Sequence, residues 1–249
     1  MKCSLKIVFF ILILSPVLSF GQLPLDEKGE GLMRREVYGG VTFATHGWGI
    51  GVQYHKQKNY RYKHSFGVRI TNIRHPKETK SFSSSFEKSK GYYYGKMNSV
   101  VAVRPFYGGK RVLFEKTRHQ GVEINLIWGV GISLTLMKPV YLKIKKFDSE
   151  TNEFITIEER YDPENHHPEN IFGRSNWFKG LGDSKITAGL FSKFGFYFDL
   201  SAKREFIWGV ELGGLLDVYV QKIPIMYNSS NTFIYPALYA NIVLGKRLM

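Results

Sequence analysis

Large apolar residues recur at every second position along most of this chain. In Gly121–Leu136, Val122, Ile124, Leu126, Trp128, Val130, Ile132, Leu134 and Leu136 alternate with Glu123, Asn125, Ile127, Gly129, Gly131, Ser133 and Thr135. A period of two places the two sets on opposite faces of a β-strand. One face is bulky and apolar; the other mixes small residues with a carboxylate and an amide. A soluble sandwich would turn the bulky face inward. The same pattern suits a strand whose outer side meets lipid while its inner side lines a narrow polar lumen.

Seven further segments repeat the alternation: Arg35–Thr45, Trp48–His55, Lys63–Arg74, Met97–Tyr107, Lys185–Leu200, Phe206–Gln221 and Phe233–Arg247. Met97–Tyr107 is the least regular. The connections differ greatly in length. Thr45–Gly47, Lys56–Tyr62 and Ser201–Glu205 are short, whereas His75–Lys96 and Lys145–Ser184 are long. With both chain ends in the periplasm, the two longest connections fall on the extracellular side, as outer-membrane barrels prefer. An even strand number closes the sheet without edges, which lipid demands because unpaired backbone groups find no water there. The expected fold is an all-β, eight-stranded antiparallel up-and-down transmembrane β-barrel with long extracellular loops. The competing fold, a soluble lipocalin-type barrel, would bury a uniformly apolar interior; here the charges lie on the small-residue side of the strands.

The N-terminus, MKCSLKIVFFILILSPVLSFGQ, has the form of a secretory signal peptide. Lys2 and Lys6 form a basic region, Ile7–Leu14 is unbroken apolar sequence, and Ser19 and Gly21 are small residues before an expected cleavage at Gln22. Residues 1–21 are therefore read as signal peptide and residues 22–249 as the barrel, located in the bacterial outer membrane. Cys3, the only cysteine, precedes the apolar run and leaves with it, which removes disulfide and thiolate chemistry from the mature chain. Twenty-five glycines, 15% aromatic residues and a mean hydropathy of −0.20 suit strands whose apolar residues occupy alternate positions.

The inward face is expected to hold a charge network of Glu36, Arg69, Arg104, Glu123, Lys193, Asp199, Glu211, Asp217 and Arg247. An eight-stranded barrel is just wide enough for side chains to fill, and a desolvated charge left unpaired costs several kcal/mol. A salt-bridged plug is therefore expected rather than an open channel. A proton or ion relay is the other reading of the same residues.

Other features carry less chemistry. His166 and His167 lie among Asp162, Glu164 and Glu169, without the spacing of a zinc site. No nucleophile-elbow motif occurs, and the glycine-rich GVGIS and GWGIGV lack the Lys-Ser/Thr of a phosphate loop. No enzymatic activity, cofactor or metal is expected. The formal charge of +14 usually suggests nucleic acid. Here the basic residues are scattered at strand ends and turns, where they can meet anionic headgroups and lipopolysaccharide phosphates; with an exported chain, no nucleic-acid partner is expected.

The segment VRPFYGGKRVLFEK (Val103–Lys116), followed by GVGISLTLMKPVYL (Gly129–Leu142) and YDP (Tyr161–Pro163), resembles a family of small Bacteroidota outer-membrane β-barrel proteins, through most of the mature chain. Gln22 after the cleavage point resembles that phylum's exported proteins. The resemblance implies location and fold and brings no catalytic residues. The ending YANIVLGKRLM lacks the terminal aromatic of the usual barrel signal, which leaves Tyr239 and Leu248 as candidates for recognition by the assembly machinery.

Two functional expectations follow. One is a scaffold or accessory subunit of a larger outer-membrane assembly, such as a barrel-insertion or secretion machine. It would dock on other outer-membrane proteins through a loop whose Phe172, Trp177 and Phe178 serve as anchors. The other is a narrow pore or transporter for small solutes.

Overall fold

The computed structural model describes residues 35–82, 90–116, 121–148, 153–202, 205–229 and 231–248. The signal-peptide reading of residues 1–21 lies outside them. Among the described residues thirteen strands occur in this order: β1 (Arg35–Ala44), β2 (Gly47–Asn59), β3 (Tyr62–Ile73), β4 (Lys80–Ser81), β5 (Tyr92–Tyr93), β6 (Asn98–Phe114), β7 (Glu123–Pro139), β8 (Tyr141–Asp148), β9 (Glu153–Arg160), β10 (Ile171–Arg174), β11 (Lys185–Asp199), β12 (Phe206–Tyr219) and β13 (Ile234–Leu248). Eight of them close into an antiparallel barrel in the order β1-β13-β12-β11-β7-β6-β3-β2. Each neighbours its predecessor among the barrel strands, and β1 seals the circle against β13 from Arg35↔Leu248 to Ala44↔Tyr239. No barrel edge is left unpaired.

All eight expected strands form, with one substantial change of length. β6 runs to Phe114, seven residues past the Tyr107 at which alternation fades. Gly108 and Gly109 weaken the pattern, but the ladder continues: Gly108 pairs with Gly129 and Lys110 with Ile127. Close packing explains the glycines. A Cβ on Gly108 would lie 2.0 Å from the Trp128 carbonyl oxygen. The tight β1–β2 turn depends on Gly47, whose φ is +151° and where a Cβ would lie 1.9 Å from the Asn72 oxygen.

The barrel is inverted relative to a soluble protein. Its outward positions are apolar and exposed, among them Ile50, Val52, Phe66, Val130, Ile132, Leu190, Phe194 and Leu238. Its inward positions bury Glu36, Arg69, Arg104, Lys110, Lys193, Asp199, Glu211 and Asp217. Water would disfavour both choices; lipid outside and ion pairs inside satisfy both.

The two ends differ. The barrel ends of β1 and β13 nearest the chain termini share one end with short connections such as Tyr60–Arg61. The long connections share the other end, and they are folded. The connection between β7 and β11, read from the sequence as a long loop from Lys145, contains a three-stranded sheet in the order β10-β8-β9. Its own core is Leu142, Ile144, Ile171, Tyr161 and Tyr92. The polar composition concealed this because, of apolar side chains, β8 buries only Leu142 and Ile144 and β10 only Ile171, while β9 has no buried residue among those described. The β3–β6 connection adds the short β4–β5 pair.

Candidate functional site

Inside the barrel, ionic clusters alternate with aromatic layers. The register explains why carboxylates are needed. Arg69 of β3 and Arg104 of β6 lie directly opposite each other, both facing inward, and like charges so placed repel. The far wall supplies two carboxylates from one strand, Glu211 and Asp217 of β12. Arg104 grips Asp217 through a two-pronged pair, Nε to Oδ1 at 2.8 Å and Nη2 to Oδ2 at 2.7 Å, and also donates to Thr71 Oγ1. Two parallel N–H donors on a carboxylate are the strongest form of this contact.

Glu211 serves the other arginine. It accepts from Arg69 Nη2 at 3.3 Å, Gln53 Nε2 at 3.1 Å and Asn241 Nδ2 at 3.0 Å, with the Tyr38 hydroxyl at 3.4 Å and Lys193 Nζ at 3.9 Å. Lys193 also donates to Gln53 Oε1 at 3.1 Å. Arg69 lies over the Tyr239 ring and Lys193 over Phe106, at 4.8 and 4.4 Å from the ring centroids. Phe106 has room because Gly67 and Gly129 stand beside it; a Cβ on Gly67 would lie 2.6 Å from its ring. Arg104 and Glu211 are thus in separate clusters, each with its own partners.

The third cluster lies at the short-turn mouth. Glu36 accepts from Lys63, Arg247 and Lys110, and Asp199 from Lys116 and Arg247. The sequence reading placed Lys63, Lys110 and Lys116 at strand ends and turns, facing anionic headgroups, rather than in this cluster. The bulge between Val112 and Phe114 disturbs the alternation ahead of Lys116, Gly108 and Gly109 interrupt it before Lys110, and Lys63 lies at the start of β3. Glu123 is half-buried at the same mouth and accepts from Asn125 Nδ2 at 3.0 Å.

The lumen is filled between and beyond these clusters. Tyr38 stacks on His55 at 4.6 Å and on Tyr197 at 5.9 Å, beside Ile127, Ile207 and Val243. At the long-loop end an apolar plug closes the bore. Ile223, Ile225 and Met226 of the β12–β13 connection pack on Ile73, Val100, Ala102, Met137 and Tyr219. The Ile225 carbonyl oxygen accepts from Met97 N at 2.9 Å. A groove of about 670 Å³ is lined by outward-facing Trp128, Val130, Phe194, Leu216 and Leu238 together with inward-facing Lys193, Leu215 and Ala237.

The sheet of β8–β10 presents a different surface. Trp177 and Phe178, 55% and 69% exposed, meet edge to face at 5.3 Å. Phe147 and Phe154 do the same at the tip of the β8–β9 hairpin, also at 5.3 Å. Phe172 is half-buried within β10, so two of the three expected anchors project fully. Around them Lys179 donates to Glu158 at 2.6 Å and Lys146 to Glu159 at 2.7 Å; these contacts, with the hydrogen bonds Glu159 shares with His166, hold both carboxyls below the usual carboxylate range. His166 is buried with both ring nitrogens engaged. Nδ1 accepts from Asp162 N at 3.0 Å and Nε2 lies 3.3 Å from Glu159 Oε2. That leaves no lone pair for a metal, and no group of potential metal ligands occurs among the described residues. Tyr239 points into the lumen, which removes its ring from the outer wall; Leu248 is exposed.

A closed even-stranded antiparallel barrel with an apolar exterior, a salt-bridged lumen and long loops at one end defines a transmembrane β-barrel of the outer-membrane type. No family model and no curated protein matches the chain. Among solved structures it is similar to Ail, the attachment invasion locus protein of Yersinia pestis, in complex with the heparin analogue sucrose octasulfate. The TM-score is 0.40 and the identity 8%, over 85% of this chain and 96% of that one. It is also similar to Neisserial surface protein A, with a TM-score of 0.35 and 7% identity over 86% of this chain and 94% of that one.

Proposed function

We propose that this chain is a non-enzymatic outer-membrane barrel that serves as a scaffold or accessory subunit of a larger outer-membrane assembly, such as a barrel-insertion or secretion machine. The observation that carries this reading is the folded β8–β10 sheet of the β7–β11 connection, on which Phe147 and Phe154, and just after which Trp177 and Phe178, are exposed to solvent. Exposed aromatics on an ordered support are the residues that dominate interface energies, and a rigid support lowers the entropic cost of docking. β9 adds to this. It is an edge strand of its sheet, with one row of backbone groups available for strand addition. The lumen supports the same reading, since ion pairs and stacked rings occupy it and an apolar plug covers its loop end.

The partner is another outer-membrane protein. Replacing residues 141–183 by a tight turn is expected to leave the barrel heat-modifiable on gels and inserted in membranes, while abolishing co-purification of a stoichiometric partner from native membranes in mild detergent. The double change Trp177→Ala, Phe178→Ala should weaken the same association without deleting the sheet. Recovery of no stoichiometric partner by the intact chain would overturn the proposal. So would steady conductance of the purified barrel in a planar bilayer, which would make it a narrow pore for small solutes.

A further inference from the structure

Among the described residues, the short-turn mouth gathers more N–H donors than its carboxylates accept. Its two buried carboxylates are closely engaged, Glu36 by three donors and Asp199 by four. Glu36 Oε1 accepts from Lys63 Nζ at 2.6 Å and Arg247 Nε at 3.0 Å, and Oε2 from Lys110 Nζ at 3.3 Å. Asp199 Oδ1 accepts from Lys116 Nζ at 2.9 Å, Ser201 N at 2.9 Å and Ser201 Oγ, while Oδ2 accepts from Arg247 Nη2. Among the described residues, four cations, Lys63, Lys110, Lys116 and Arg247, thus face Glu36 and Asp199, with Glu123 half-buried at the same mouth. Each ammonium carries three N–H donors, and Glu36 takes one from Lys63 and one from Lys110.

Behind the lysines, two further polar groups face the same space. Lys110 Nζ lies 4.1 Å from the Tyr197 ring centroid and 5.8 Å from that of Tyr38. The Tyr197 hydroxyl and His55 Nε2 are buried and have no partner among the described residues. His55 Nδ1 is 2.6 Å from Ser65 Oγ; with the serine donating, Nε2 carries the proton. All the spare groups are then donors: two ammonium ions, a phenol and an imidazole N–H. The rim is wet, with Lys63, Lys116 and Arg247 side chains 14 to 18% exposed, whereas Lys110 and Glu36 are buried behind it.

A cluster of donors of this kind selects a compact ligand with several acceptor oxygens and negative charge. We propose that the short-turn mouth of the barrel, built from Lys63, Lys110, Lys116 and Arg247, binds a phosphate-type oxyanion, either free or carried as a phosphomonoester. The site lies at the end opposite the β8–β10 sheet and does not depend on the docking reading.

The test uses the mature chain refolded in a zwitterionic detergent at pH 7, with ionic strength held constant by sodium chloride. Calorimetric titration with inorganic phosphate is expected to show one saturable site, and phosphate to raise the unfolding temperature above that in chloride. Lys63→Gln and Lys110→Gln should each weaken binding at least tenfold, while Lys143→Gln on the loop sheet leaves it unchanged. Lys63→Gln is the safer variant because its side chain sits at the wet rim; gel mobility of the heated and unheated protein confirms its fold. Glycerol phosphate distinguishes the sources, since equal or tighter binding assigns a carried phosphate and its exclusion assigns the free ion. No saturable binding by the unaltered chain, or binding that survives both lysine changes, would overturn the site.

Discussion

Arg104 and Asp217 form an ion pair in the lumen, both fully buried and joined by two hydrogen bonds. Removing one member strands the other in a place from which water is excluded. Asp217→Asn is expected to destabilise the barrel by about 3–5 kcal/mol, whereas the double change with Arg104→Met should cost clearly less. Urea unfolding in lipid vesicles measures both, and strictly additive costs would contradict the pairing. Gly47 is constrained differently. Its backbone lies in a region that L-residues avoid, and a methyl group would collide with the Asn72 carbonyl. Gly47→Ala should therefore slow or reduce refolding more than Gly182→Ala, where a Cβ meets nothing within 4 Å; the folded fraction on unheated gels reports the difference.

At the scale of elements, the β8–β10 sheet is held by its small core and by surface ion pairs of Lys146, Lys179 and Lys143 with Glu159 and Glu158. The carboxyl groups titrate below their ordinary range in the folded state. Their stabilisation is fully present above the unfolded-state value of about 4.3. It is lost as pH falls through the lowered native values. Acidification from pH 7 to 3 should therefore loosen this sheet first, increasing amide exchange in β8–β10 while the barrel ladders stay protected. Equal protection of sheet and barrel at pH 3 would show that the core alone holds it. The ladders of β6, β7 and β11 are the longest and link continuously across the wall, so they should exchange last.

For the whole molecule, inversion of polarity is the property to test. Val130 lies near the middle of β7, points outward and is 52% exposed. Val130→Arg should cost about 2–4 kcal/mol if that position faces the bilayer midplane. Ser133, three residues on, points inward and bonds the Tyr219 hydroxyl at 3.0 Å; Ser133→Arg should fail by overpacking and leave a trapped, heat-unmodified species. A spin label at position 130 should relax with oxygen and resist water-soluble nickel complexes. The reverse result would return the barrel to a soluble fold.

Alternation with period two was enough to place eight strands, assign their faces and recognise an inside of charge and glycine, because a pleated strand writes its two environments directly into successive residues. Arg69, Arg104, Glu211 and Asp217 could be read as inward for that reason alone. Their pairing could not. It depends on the register that sets Arg69 opposite Arg104 and brings β12 across the bore, a relation between residues more than a hundred positions apart. The same holds for Lys110 and Lys116, which the glycines and the bulge at the end of β6 hid, and for the β8–β10 sheet, whose core joins Leu142 and Ile144 of β8 to Ile171, Tyr161 and the distant Tyr92. Local pattern determined which side each residue faces; only closure of the barrel decided which residues meet.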